Sequence, residues 1–131
     1  MAVKTLFSNS METYRARASM VSTAEIYGDC AIAKTESTAR EIRIASAQAA
    51  DELLTIVGVN ASYTVFPTAT GVNISARSLG AINVQLVMEV LGGGGNLTMA
   101  ACQLEGITID EAVEKLKAAI DQVKMSYLSQ P

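Results

Sequence analysis

Ser75-Ala76-Arg77-Ser78-Leu79-Gly80-Ala81-Ile82-Asn83-Val84-Gln85-Leu86-Val87-Met88-Glu89-Val90-Leu91-Gly92-Gly93-Gly94-Gly95-Asn96-Leu97-Thr98-Met99-Ala100-Ala101-Cys102-Gln103 is the stretch around which the chain is organised. Its centre is the run Gly92–Gly95. Four consecutive glycines cost more backbone entropy than any other four residues, so folds place them where φ is positive or where a group approaches the main chain closely. Successive amides in such a loop can converge on an anion. A tight helix-to-strand turn uses the same residues without a ligand. Leu86, Val87, Val90 and Leu91 before the run, and Leu97, Met99, Ala100 and Ala101 after it, argue for an ordered loop inside a domain.

Working outward, the segment before the loop alternates. Val72, Ile74 and Ala76 share one face of a strand; Asn73, Ser75 and Arg77 share the other. Asn60–Phe66 alternates likewise, and the turn-rich residues Pro67–Gly71 join the two as a hairpin. Asn83 caps a helix that the glycines end, and Ala100–Leu104 reads as a further strand.

Three more helices follow from apolar spacing. One spans Ser10 to about Ile26, with Met11, Tyr14, Ala18 and Val21 inward and Gly28 as its stop. A second is capped by Thr38 with Glu41, buries Ile42, Ala45, Ala49, Leu53 and Ile56, and stops at Gly58. The last is capped by Thr108 with Glu111 and lines up Ile109, Val113, Leu116, Ile120, Val123 and Tyr127. Cys30–Lys34 is a short buried strand. Helices alternating with strands, one pair in a hairpin, predict an α/β fold with a mixed sheet of about four to five strands.

The 131 residues suit one domain, residues 10–131, behind a loose lead-in over residues 1–9. Half the residues are hydrophobic, enough for a real core, and no apolar run reaches membrane-spanning length. A net charge of −3 argues against a general nucleic-acid surface. Histidine is absent, which removes the commonest acid–base group and metal ligand. Cys30 and Cys102 read as buried, reduced thiols. Asp110, Glu111 and Glu114 read as acids suited to a helix first turn rather than as metal ligands, and the adjacent Asp51 and Glu52 as a surface pair.

Ser75-Ala76-Arg77-Ser78 followed by Gly92–Gly95 and Ala100-Ala101 resembles the DHH-associated domain, the C-terminal half of DHH-superfamily phosphoesterases. Gln48-Ala49-Ala50-Asp51-Glu52-Leu53-Leu54, Ile74–Gly80, Asn83-Val84-Gln85 and Leu97-Thr98 are similar to the end of GdpP-type cyclic-di-AMP phosphodiesterases. The resemblance covers roughly residues 10–127 and implies a fragment of a longer enzyme. It implies catalytic metals, usually manganese, in a preceding DHH domain whose Asp-His-His motif this chain lacks, and no cofactor in the fragment itself. It implies a soluble fragment on the cytoplasmic face of a membrane-anchored parent.

The ligand implied is a cyclic dinucleotide or a short oligonucleotide. The implied protein partners are the DHH domain and, as a further option, a second copy in a homodimer. Arg77, Ser78, Gly92, Gly93, Gly94, Gly95, Asn96 and Thr98 become the substrate-binding candidates, with no catalytic or metal-ligating residue. Arginine presents fixed donors to phosphate; the plainer alternatives at this position are a solvated surface arginine and a structural ion pair. The family's glycine run is normally followed by histidine; Asn96 stands there and can donate a hydrogen bond without carrying charge. Asn96 and Thr98 equally suit local turn capping. Two alternatives stay open. One is a module of an oligoribonuclease or nucleoside-bisphosphate phosphatase of the same superfamily. The other is a structural, dimerising domain with a decayed nucleotide site.

Overall fold

The computed structural model describes residues 10–128. In chain order the elements are α1 (Met11–Ser22), β1 (Glu25–Tyr27), β2 (Cys30–Lys34), α2 (Ile42–Leu53), β3 (Ala61–Pro67), β4 (Gly71–Ser78), α3 (Val84–Val90), β5 (Gly94–Gly95), β6 (Met99–Glu105) and α4 (Ile109–Leu128). The sheet order is β1-β2-β3-β4-β6-β5. Among the described residues only β2 and β3 run parallel, and α2 is the crossover that a parallel pair requires. The remaining neighbours are antiparallel.

Helices cover both faces. On one, Tyr63, Val65, Val72, Ile74, Ala76 and Cys102 pack under Val84, Val87 and Met88 of α3 and Leu116 and Ile120 of α4. On the other, Ala31, Ala33 and Phe66 pack under Met20 of α1 and Ile42, Ala49 and Leu53 of α2. The alanines of α2 let it lie close on the sheet, where Ser62 Oγ donates to the Ala50 carbonyl at 2.7 Å. β3 is therefore buried on both faces, and its alternation does not separate core from solvent.

The α1/α2 layer stops short. Along β6, Ala100 and Cys102 are buried while Met99, Ala101, Gln103 and Glu105 are exposed. The β6-β5 edge thus presents an uncovered face beside α2, whereas on that side of β4 Asn73 is buried and Ser75 and Arg77 are partly exposed.

Several expectations need correction. The sheet has six strands among the described residues. α1 ends at Ser22 rather than near Ile26, because Glu25–Tyr27 pairs with Cys30–Ile32. Lys117 binds Glu25 at 3.0 Å and Tyr27 donates to Asp121 at 2.7 Å, anchoring this strand to α4. Gly28, at φ +63°, is the hairpin turn and not a helix stop. The buried face of α1 is Thr13 and Met20, whereas Met11 and Tyr14 are half exposed. The Thr38–Glu41 capping box does not form: Glu41 caps α2 without a side-chain bond, and Ile56 lies beyond the helix. The Thr108–Glu111 box does form, with Thr108 N–H donating to Glu111 at 2.9 Å and Glu111 N–H to Thr108 Oγ1 at 3.1 Å. Tyr127 is half exposed rather than core. The lead-in lies outside the described residues.

Candidate functional site

β4 turns Asn73, Ser75 and Arg77 to the α2 side of the sheet, opposite the exposed Gln103, Ala101 and Met99 of β6; Asn73 is buried there and Ser75 and Arg77 are partly exposed. Asn73 Nδ2 donates to Ser75 Oγ at 3.0 Å, which stiffens this row. Arg77 stands at its end. Its side chain is only 18% exposed, and Nε lies 3.4 Å from Asp51 Oδ1 in the last turn of α2, itself 69% exposed. The neighbouring Glu52 turns the other way to Arg17. Sequence reading missed the Asp51 contact, since no spacing rule links a helix residue to a strand that follows a second strand.

The glycine run divides its work. Gly92, at φ +86°, closes α3, with its amide donating to Glu89 O at 3.0 Å and that of Gly93 to Met88 O at 2.8 Å. A side chain at Gly93 would collide with the Ala101 carbonyl and Cys102; one at Gly95 would collide with Met99 O and Ala100. Gly94 has open space around it and no left-handed φ, so the fold does not demand glycine there. Gly94 and Gly95 form β5 against Ala101 and Ala100. The amides of Gly92 and Gly93 close a helix rather than a concave anion nest.

Asn96 closes the following turn. Its amide donates to Met99 O at 2.7 Å, and its Oδ1 accepts from the amides of Thr98 at 3.0 Å and Met99 at 2.9 Å. Thr98 Oγ1 also reaches Asn96 Oδ1 at 3.4 Å. Ser78 is buried. Its hydroxyl donates to Leu97 O and accepts from Gly80 N–H, each at 3.1 Å, and its amide donates to Thr98 O at 3.0 Å. The fold therefore gathers Arg77, Ser78, Gly94, Gly95, Asn96 and Thr98 at one corner of the sheet. Gly92 and Gly93 sit behind it at the end of α3.

Other features lie elsewhere. Among the described residues, no three His, Cys, Asp or Glu side chains are grouped to hold a metal ion. Asp110 pairs with Lys34 at 2.8 Å, and Glu114 with Lys117 at 3.7 Å. A groove of about 390 Å³ between α3 and α4 is lined by Leu86, Val90, Val123 and Tyr127, on the sheet's opposite layer. A smaller hollow is bordered by Asp29, Cys30 and Lys124. Burial opposes ionisation of Asp29, but hydrogen bonds from Lys124 and Asn60 outweigh it and lower its pKa. No helix among the described residues is long and apolar enough to cross a membrane.

Residues 30–124 match the family model described as the DHHA1 domain. The chain is 46% identical over 121 residues to the cyclic-di-AMP phosphodiesterase GdpP of Geobacillus thermodenitrificans, covering 90% of this chain and 18% of that protein. It is 44% identical over 124 residues to GdpP of Bacillus subtilis, covering 92% of this chain and 19% of that protein. The chain thus spans under a fifth of these relatives. An exopolyphosphatase-related protein from Bacteroides fragilis superposes with a TM-score of 0.80 at 22% identity, over 92% of this chain and 38% of that one. At that identity the match speaks to the fold.

Proposed function

The chain belongs to the DHHA1 domain family, and from that membership we propose that it is the substrate-holding module of a phosphodiesterase acting on a cyclic dinucleotide, cyclic-di-AMP foremost. The observation that carries this reading is Arg77, a mostly buried arginine held at the rim of an uncovered sheet face. The Asp51 contact engages Nε, one of five N–H donors on a guanidinium. The planar fork suits two oxygens of one phosphate.

Gly94 sits across β6 on the same corner, where a side chain has room yet none is present, and leaves the main chain open to a ligand. Asn96 and Thr98 border it, with Asn96 Oδ1 and backbone N–H spent on the turn, so a ligand contact from Asn96 falls to its side-chain Nδ2. Bond cleavage, and the manganese the family resemblance implies, are assigned to a DHH domain outside this chain; the module holds the substrate and is inert alone. Titration with cyclic-di-AMP and its linear product, followed by NMR, should shift residues near Arg77 and Gly94–Thr98. The Arg77→Ala variant should lose those shifts, and manganese-dependent hydrolysis by the chain alone would contradict the reading.

One set of observations favours a second reading, a purely structural interaction module. Ser78 and the Asn96 Oδ1 serve internal bonds, and Leu79, Leu97 and Met99 expose apolar surface at this corner. A chain that self-associates and shows no nucleotide-induced shift would support that alternative.

A further inference from the structure

Arg43 stands on the first turn of α2, is exposed, and holds its guanidinium 5.4 Å from the centre of the Phe66 ring. No ion pair engages it among the described residues. Phe66 points to the α2 side of the sheet, and its register partner on β4 is Asn73. Arg77 lies four residues further along the same strand and on the same face, a separation of roughly 13 Å at the usual rise per residue. The strip between them carries the buried Asn73 and part-exposed Ser75 on β4, with Ala101 and Gln103 exposed beside them on β6. Asp51, already paired with Arg77, and the exposed Glu105 are the carboxylates bordering it.

Two arginines at the two ends of one polar strip make it complementary to a ligand with two separated negative charges. A single phosphate touches one end only. The Phe66 ring limits the freedom of Arg43, so less entropy is lost when it binds an anion. We infer that Arg43 is a second phosphate-binding residue, which selects a dinucleotide with two phosphates over one with a single phosphate by contacting the group far from Arg77. This rests on the proposal that the strip around Arg77 binds nucleotide.

The test compares two ligands by NMR titration of the whole chain: 5′-phosphorylated diadenylate, with two phosphates, and unphosphorylated diadenylate, with one. The phosphorylated ligand should bind roughly threefold to tenfold tighter. Arg43→Gln should erase that difference and leave the unphosphorylated ligand unchanged, whereas Arg43→Lys should keep part of it. The slope of log affinity against log salt for the phosphorylated ligand should fall by roughly 0.7 in Arg43→Gln. Equal weakening of both ligands by Arg43→Gln would overturn the inference in favour of base stacking or a fold defect. No effect of Arg43→Gln, with Arg77→Ala weakening both ligands, would overturn it and leave the substrate-holding module standing. Failure of both ligands to bind the unaltered chain would overturn the two together.

Discussion

Arg77 Nε lies 3.4 Å from Asp51 Oδ1, so the arginine at the end of β4 is steadied by the last turn of α2. The arginine is mostly buried and the aspartate mostly exposed. Exposed pairs contribute little, about 0–1 kcal/mol. Asp51→Asn should therefore lower stability by at most about 1 kcal/mol in urea denaturation. It also removes a negative charge beside the proposed phosphate site. Affinity for a dinucleotide should rise by roughly twofold to fivefold, the range such pairs span. An unchanged or weaker affinity would show that Asp51 positions the guanidinium rather than competes for it.

Gly93 and Gly94 are adjacent and should respond oppositely to alanine. A methyl at Gly93 would strike the Ala101 carbonyl and Cys102, whereas one at Gly94 meets open space. Gly93→Ala should cost about 1–3 kcal/mol, as overpacking does. Gly94→Ala should stay within about 0.5 kcal/mol. Equilibrium denaturation separates the two. A Gly94→Ala chain of native stability that binds dinucleotide more weakly would show that this glycine serves the ligand and not the fold.

The Thr108–Glu111 capping box starts α4. Thr108→Ala should cost about 1 kcal/mol. The Thr108 backbone amide and then the Thr108 side chain hold the Glu111 carboxyl below its ordinary pKa. A lowered folded-state pKa gives stability that is present above the unfolded-state pKa and lost as pH falls through the folded one. The melting-temperature gap between the unaltered chain and Glu111→Gln should thus be widest near neutral pH and close as pH falls below the ordinary glutamate range.

Cys30 and Cys102 are both buried free thiols. Burial is the main cause that pushes them up, to about 12 and about 11 respectively. The reactive thiolate is thus scarce at neutral pH. A thiol-reactive chromophore should label neither cysteine in the native chain and both in denaturant; rapid native labelling would show local opening at β2 or β6.

Much of the fold was legible because local rules and packing agreed. The alternation of Val72, Ile74 and Ala76 against Asn73, Ser75 and Arg77 survives as two faces of β4, the first in the α3/α4 core and the second polar beside α2, where Asn73 is nonetheless buried. Asn83 caps α3 by accepting from Gln85 N–H at 3.1 Å. β1 was illegible: three residues in a helical-looking run become a strand only because β2 pairs with them and α4 anchors them. β5 was illegible for another reason. Two glycines carry no side-chain pattern, and their pairing with Ala100 and Ala101 is purely main-chain.

The candidate site divides in the same way. Arg77 on the polar face, the glycine run and the absence of histidine are properties of the residues in order, and local stereochemistry sets their consequences. That α2 stops short of β6, that Asp51 meets Arg77, that Ser78 and Asn96 turn inward and that Arg43 lies over the Phe66 ring are decided by tertiary structure. The reason is that each depends on strand order and register. Spacing along the chain specifies which residues share a face, but only the pairing β3-β4-β6 and the placement of α2 determine what that face meets.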